Sequence, residues 1–330
     1  MTYAITMAPT RCQKRGMDAL HLASLAKQAL IDEAELTPKP GLVDRRGSGA
    51  HMDLSLELMR RSAESLEPFF KSMADVSTQL PLRRPLREQL GAIGRSAERA
   101  MYRATGGSNT HKGAIWVLGL LVAAASYTDE AEPFDVAKVA GSISRLPDLS
   151  YPELLSHGAI VRSRYGFTGA RGEAYADFPH VIDIGLPALR AARSDGKSES
   201  ASRLSALLSL MATLDDTCVL YRSGSEGAAM VKAGAGSVLA AGGPETDAGD
   251  AALHQLDQDL LARRISPGGS ADLLAAAIFL DSLECRESST PEQDFGGHVW
   301  NALNSTTQRR IAALPEELMS VLSDPVRWRC

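Results

Sequence analysis

Aromatic side chains are scarce: Phe, Trp and Tyr together make 5% of the 330 residues. Runs of alternating β-branched residues are missing too, which excludes a β-sandwich or barrel. The four cysteines, Cys12, Cys218, Cys285 and Cys330, form no CxxC pair. Neither a zinc ribbon nor a disulfide framework is implied, and they read as incidental reduced thiols. Excess charge of one sign is also lacking. A net charge of -5 gives no broad attraction for nucleic acid or an anionic membrane. The longest apolar run, about eleven residues over 115–125, is too short to cross a bilayer. The opening MTYAITMAPTRCQKRG has no continuous apolar h-region of a signal peptide. A cytoplasmic address, no membrane and no nucleic-acid partner are the expectation. Any phosphate ligand must then be met locally by Lys, Arg and backbone N–H groups.

What is present is helical periodicity. Apolar residues are 44% of the chain, enough for a large core. Leu20, Ala23, Leu30 and Ala34 mark one helix over about 17–36, and Leu58, Ser62, Leu66 and Phe70 another over 54–73. Further helices are expected near 86–104, 111–126, 133–145, 151–160, 200–221, 227–240, 251–262, 270–285 and 297–322. The polar stretch Ser194–Ser202 reads as a flexible surface loop. The fold expected is all-α: one large multi-helix domain with a composite loop-lined cleft over 16–285. An N-terminal extension over 1–15 precedes it, and a loop with a helical appendage over 286–330 follows.

The loops carry the chemistry, as loops on a rigid scaffold tend to. In Thr37–Asp53 (TPKPGLVDRRGSGAHMD) two prolines stiffen the exit from the first helix. This segment presents Lys39, Asp44, His51 and Asp53, and the last reads equally as a helix cap. In SNTHKG, Asn109, His111 and Lys112 open an apolar helix whose positive end favours phosphate. Asn109 or Thr110 could merely cap the helix, but a His and a Lys beside so apolar a helix favour a functional reading. In GARGE, Arg171 offers a planar fork for phosphate oxygens, and Glu173 either binds a metal or holds Arg171. Adjacent acids in DDTCVLYR cannot face one way on a helix, so Asp216 is the metal candidate there, with Arg222 as a phosphate group. In SPGGSAD, Gly268, Gly269 and Ser270 resemble an anion cradle, and Asp272 reads as a cap or metal ligand. No Gly-Lys-Ser/Thr ends that loop, so it is not a Walker A motif.

The stretches TPKPGLVD, GAHMD, NTHKGA, GARGEA, DDT with its later Arg, and SPGGSADLLA, in this order, resemble the triphosphoribosyl-dephospho-coenzyme-A synthase family over about residues 20–285. The DRRGSGAHMDL wording is closer to the branch serving malonate decarboxylase than to that serving citrate lyase. One departure is Cys218, where the family pattern leads one to expect Asn. The resemblance implies an ATP-consuming transferase with 3′-dephospho-CoA as acceptor. The 2′-hydroxyl of the acceptor attacks the ribose C1 of ATP, adenine leaves, and the triphosphate stays on the product. That product passes to a transferase for an acyl carrier protein. Within this reading Lys39, Asn109, Lys112, Arg171, Arg222 and the 268–270 cradle meet phosphates. Asp53, Asp216 and Asp272 are candidates for Mg²⁺, and His51, His111, Asp44 and Glu173 for acid, base or electrostatic catalysis. Two other classes fit the residues without the resemblance: a non-catalytic helical nucleotide-binding protein, and a metal-dependent hydrolase of nucleotides or ADP-ribose-like substrates.

Overall fold

The computed structural model describes residues 17–128, 132–150 and 157–284. The expected extension over 1–15, the appendage over 286–330 with its helix near 297–322, and most of the helix expected over 151–160 lie outside them. Among the described residues every regular element is a helix; an isolated antiparallel bridge pairs Asp44 with Gly47. In order these are α1 Ala19–Glu35, α2 Leu56–Gln79, α3 Arg84–Ala104, α4 Lys112–Ala125, α5 Pro133–Ser144, α6 His157–Tyr165 and α7 Gly169–Tyr175. A π-helical segment, His180–Gly185, leads into α8 Leu186–Ser194, followed by α9 Glu199–Thr213, α10 Thr217–Ala240, α11 Asp247–Arg263 and α12 Gly268–Glu284.

Helices α4 and α12 form the centre. Both are apolar on every side, and a helix of that kind is stable only when enclosed. Ile115, Leu118, Leu121 and Val122 of α4 and Leu274, Phe279 and Leu280 of α12 are buried, each such side chain contributing about 1.5–3 kcal/mol. The two pack on each other, α1 and α2 cover one side, and α9 lies against α12. Side-chain oxygens fix several starts: Asp18 accepts from His21 N, Ser55 from Leu58 N, Ser198 from Ala201 N and Thr246 from Gly249 N.

Three expectations need correction. The helix expected over 200–221 is two, because the chain breaks at 214–216 and Asp216 starts α10. The interruption expected after 221 is a kink inside α10, where Gly224 takes φ 65°, ψ -164°, a conformation open to glycine. The Ser194–Ser202 loop shrinks to a short turn, since Ser198 caps α9 and Glu199 pairs with Arg193 and Arg203. Helices α7 and α8 and the π-helical segment also lie where no helix was expected. No single helix among the described residues is long and apolar enough to cross a membrane.

Candidate active site

The loops singled out in the sequence meet where α4, α10 and α12 begin. A Cβ on Gly113, in the first turn of α4, would lie 1.9 Å from Asp272 Oδ2 of α12, so the two helix starts touch only because residue 113 is glycine. Asp216, at the start of α10, bonds the start of α12 through Ser270. His51 reaches the Ser266 loop, and Arg222 reaches His51. Gly169, opening α7, lies against Thr217, whose Oγ1 would be 2.9 Å from a Cβ there. The positive ends of α4, α10 and α12 thus share one region, which favours anions.

Asp216 is a clasp. Oδ1 accepts from Cys218 N at 2.8 Å and Val219 N at 3.4 Å; Oδ2 accepts from Ser270 N at 2.8 Å and Ser270 Oγ at 3.1 Å. A carboxylate has about four lone-pair sites, and these contacts use them, so Asp216 is not an open metal ligand. The same bonds mean that the Ser270 N–H points at the protein's own carboxylate, and Gly269 N–H bonds it as well. The 268–270 cradle is therefore filled from within. Asp215 turns away to Lys232 Nζ at 2.6 Å, as expected for adjacent residues. Burial raises the Asp216 carboxyl, and the hydrogen bonds oppose that rise.

Asp272 is different. It accepts from Ala114 N and is partly exposed. Its carboxyl is pushed well above the usual range, by the desolvating walls first and then by Glu33 and Asp216. Glu33 is itself held: its Oε1 sits 2.5 Å from Lys39 Nζ, which also donates to Glu33 O at 2.6 Å. Lys39 is 1% exposed, so it neutralises Glu33 beneath the cleft and is not presented to a ligand phosphate as expected. Asp44 is likewise enclosed. It accepts from Lys39 N at 2.9 Å, Arg46 N at 2.7 Å and Arg46 Nε at 2.9 Å, which makes it the hub of its own loop and removes it from the catalytic list.

The two histidines are both neutral, for one main reason. Burial lowers His51 to about 4, helped by the Arg222 guanidinium against a partial pull from Asp53. Burial lowers His111 to about 3, helped by Lys39. His51 Nε2 is 2.8 Å from Ser266 Oγ, and Nδ1 is 3.5 Å from Arg222 Nη2. Asp53 stands further off, with Oδ1 3.9 Å from Nδ1 and its side chain 64% exposed. His111 Nδ1 is 2.8 Å from Ser62 Oγ, which accepts from Thr110 Oγ1 at 2.6 Å, while His111 Nε2 is buried without a partner. His51 has solvent on one side; His111 is a buried strut at the head of α4.

Asn109 Oδ1 accepts from Lys112 N at 3.2 Å, from a position two residues ahead of His111, which starts α4 without a side-chain cap of its own. Lys112 is part-exposed and 3.2 Å from Glu98. Glu173 holds His180, not Arg171: Oε1 is 2.6 Å from His180 Nδ1 and Oε2 accepts from His180 N at 3.2 Å. That hydrogen bond raises His180, against burial. Sequence reading missed Ser266, Glu33 as a partner, Ser62 and His180. Ser266 had a visible signal in its position opening the SPGGSAD loop; His180 had none.

Among the described residues no group of three or more His, Cys, Asp and Glu side chains is arranged to hold a metal ion. A Mg²⁺ arriving with a polyphosphate needs fewer, one or two carboxylates, because substrate oxygens and water complete its shell. Asp272 fits that requirement: a hard oxygen donor, partly exposed, whose charged form a bound cation would favour against the burial that opposes it.

Three helix starts, a neutral imidazole and a partly exposed carboxyl brought together, without a Gly-Lys-Ser/Thr loop, are the make-up of an all-α protein with an anion-favouring site that is not a P-loop. Comparison with known proteins narrows this. The family model for ATP:dephospho-CoA triphosphoribosyl transferase matches residues 19–291. A protein of Pseudomonas fluorescens Pf-5 described as a probable 2-(5′′-triphosphoribosyl)-3′-dephosphocoenzyme-A synthase is 54% identical over 268 residues, 81% of this chain and 92% of that one. Proteins of the same description from Pseudomonas putida and Azotobacter vinelandii are each 53% identical, over 79% and 81% of this chain and 94% and 92% of their own. No solved structure matches. The chain belongs to the ATP:dephospho-CoA triphosphoribosyl transferase family and is a transferase.

Proposed function

We propose that the cleft at the starts of α4, α10 and α12 moves the 5-triphosphoribosyl group of ATP onto the 2′-hydroxyl of 3′-dephospho-CoA, in the service of malonate decarboxylase. The C1–N9 bond of ATP breaks and a C1–O2′ bond forms. The hydroxyl proton is taken up by a base, and adenine leaves with a proton. The transition state gathers positive charge at C1, as in glycoside hydrolysis, so a carboxylate facing it lowers the barrier. The observation that carries this reading is Asp272, a partly exposed carboxyl between the starts of α4 and α12, whose ionisation burial opposes and an arriving positive charge favours. We assign the hydroxyl proton to His51, whose Nδ1 lone pair faces Arg222 and becomes available when that arginine engages the triphosphate. Arg222, Lys112 and Arg171 serve the triphosphate. Mg²⁺, when bound with ATP, would offset triphosphate charge, and Asp272 is the residue that would hold it if the carboxyl does not face C1. The DRRGSGAHMDL segment supports the malonate branch.

Incubation with ATP, Mg²⁺ and 3′-dephospho-CoA should release adenine in step with a product carrying the added triphosphoribosyl mass. Adenine or free sugar released equally well without the acceptor would favour the hydrolase. EDTA should stop the reaction. The branch is tested by supplying the product and its transferase with carrier protein from each system, with incorporation expected into that of malonate decarboxylase.

A further inference from the structure

Away from the helix starts, one face of α3 carries Arg87, Gly91 and Arg95, spaced four apart and so stacked in a line. Asp148 enters this line at the glycine: a Cβ on Gly91 would lie 2.1 Å from its Oδ2. Its Oδ2 accepts from Arg95 Nη1 at 2.9 Å and from Arg87 Nη1 at 3.4 Å. Arg87 is 4% exposed, lies 4.9 Å over the Trp116 ring, and its Nε is buried without a partner. Trp116 in turn donates Nε1–H to Ala170 O at 3.2 Å, which ties this corner to the GARGE segment. From there Arg171 adds a positive charge that Arg87 feels, as it feels Arg95.

A buried guanidinium is costly unless its charge and donors are met. Here one carboxylate serves two arginines, its bond to Arg87 is long, and a buried donor is left over. A multidentate oxyanion would meet all of these at once, since guanidinium forks match phosphate oxygens in pairs. We propose that Arg87 and Arg95, gathered around Asp148 and Trp116 on the far side of the GARGE segment, form a second oxyanion subsite that takes a di- or triphosphate group. The inference rests on the transfer reading above, in which two substrates each bring a polyphosphate. It adds a site that neither the helix starts nor the 268–270 loop supplies.

The test uses Arg95→Gln in the full chain, because Arg95 is part-exposed and its loss leaves Arg87 and Asp148 paired. Calorimetric binding of inorganic pyrophosphate and of tripolyphosphate is measured alongside KM for ATP and for 3′-dephospho-CoA. Folding is checked by circular dichroism, and Arg95→Lys serves as the charge-conserving control. Affinity for the inorganic polyphosphates should fall about tenfold in Arg95→Gln, with partial recovery in Arg95→Lys. A matching rise in KM for 3′-dephospho-CoA alone assigns the subsite to the acceptor's diphosphate; a rise for ATP alone assigns it to the triphosphate. Polyphosphate affinity within twofold of wild type, or no measurable polyphosphate binding by the wild type, overturns the subsite. Failure of the transfer reading looks different: the wild type then binds polyphosphate but releases no adenine.

Discussion

Two loops of this chain are alike as strings of letters. Lys39–Gly49 and Ser266–Asp272 both join glycine to charged or polar residues beside a helix, and both invite a functional reading. In the folded chain they do opposite things. The first spends its charges on itself and its scaffold: Lys39 on Glu33, Asp44 on Arg46 and the Lys39 N–H, and Arg46 on Asp257. The second leaves valences open, with Ser266 held to His51 at the cleft and Asp272 accepting from Ala114 N with lone pairs to spare. The difference lies in partners. A charge whose lone pairs or protons are all used by the protein is scaffold, whereas one with unused capacity in a water-poor cleft is available for chemistry.

The largest effect should come from breaking the open side of this contrast. Asp272→Asn keeps the size and an acceptor for Ala114 N but removes the charge. Turnover should fall by a factor on the order of a hundred or more, with the circular dichroism spectrum unchanged. Normal adenine release would reduce Asp272 to a contact between two helix starts.

Breaking the closed side should instead cost stability. Glu33→Ala strands Lys39 in the core, and removal of one partner of a buried pair costs about 3–5 kcal/mol. The double variant Glu33→Leu, Lys39→Met should recover most of that in urea unfolding. If the single variant is as stable as wild type, the pair is not the scaffold described.

Arg171→Lys keeps charge but loses the fork. KM for ATP should rise about tenfold while kcat changes little, because the triphosphate is present in both ground and transition states. A drop in kcat at constant KM would place Arg171 at the reacting centre.

A pH dependence bears on the two histidines of the site. His51 and His111 have folded values of about 4 and about 3, below the ordinary 6.5. The unfolded chain therefore binds more protons between these limits. Their contribution to stability is complete above pH 6.5 and is lost as pH falls towards 4, with a limiting slope of about 1.4 kcal/mol per pH unit for each group. Asp272 and Asp216, whose carboxyls are raised, act in the opposite sense. Comparison with His111→Asn isolates one histidine: its unfolding free energy should fall less steeply through this window. An identical slope would mean that His111 is not held neutral.

Much of the fold was legible. The apolar stretches of α4 and α12 declared themselves as buried helices, and the loops that look chemical do meet at one place. Helix boundaries were harder where glycine intervenes, as in α7, which opens on Gly169, and in α10, which runs through Gly224. Side-chain roles were the least legible. Asp216 and Asp272 both stand beside helix starts in the sequence, and only the fold delivers the Ser270 N–H and hydroxyl to one of them. Arg87, Gly91 and Arg95 did carry a visible signal in their spacing of four, but nothing in the sequence puts Asp148 against that glycine.

The contrast is tested most directly by Asp216→Asn, measured for melting and for calorimetric binding of Mg²⁺·ATP at a temperature where the variant is folded. An amide turns an NH₂ towards backbone donors, so about 2–3 kcal/mol of stability should be lost and melting should fall by about 5–10 °C. Affinity for Mg²⁺·ATP should stay within about threefold of wild type, because no lone pair of Asp216 is left for a metal. A variant that melts like the wild type yet binds Mg²⁺·ATP more than about thirtyfold more weakly would contradict the account and return Asp216 to the metal.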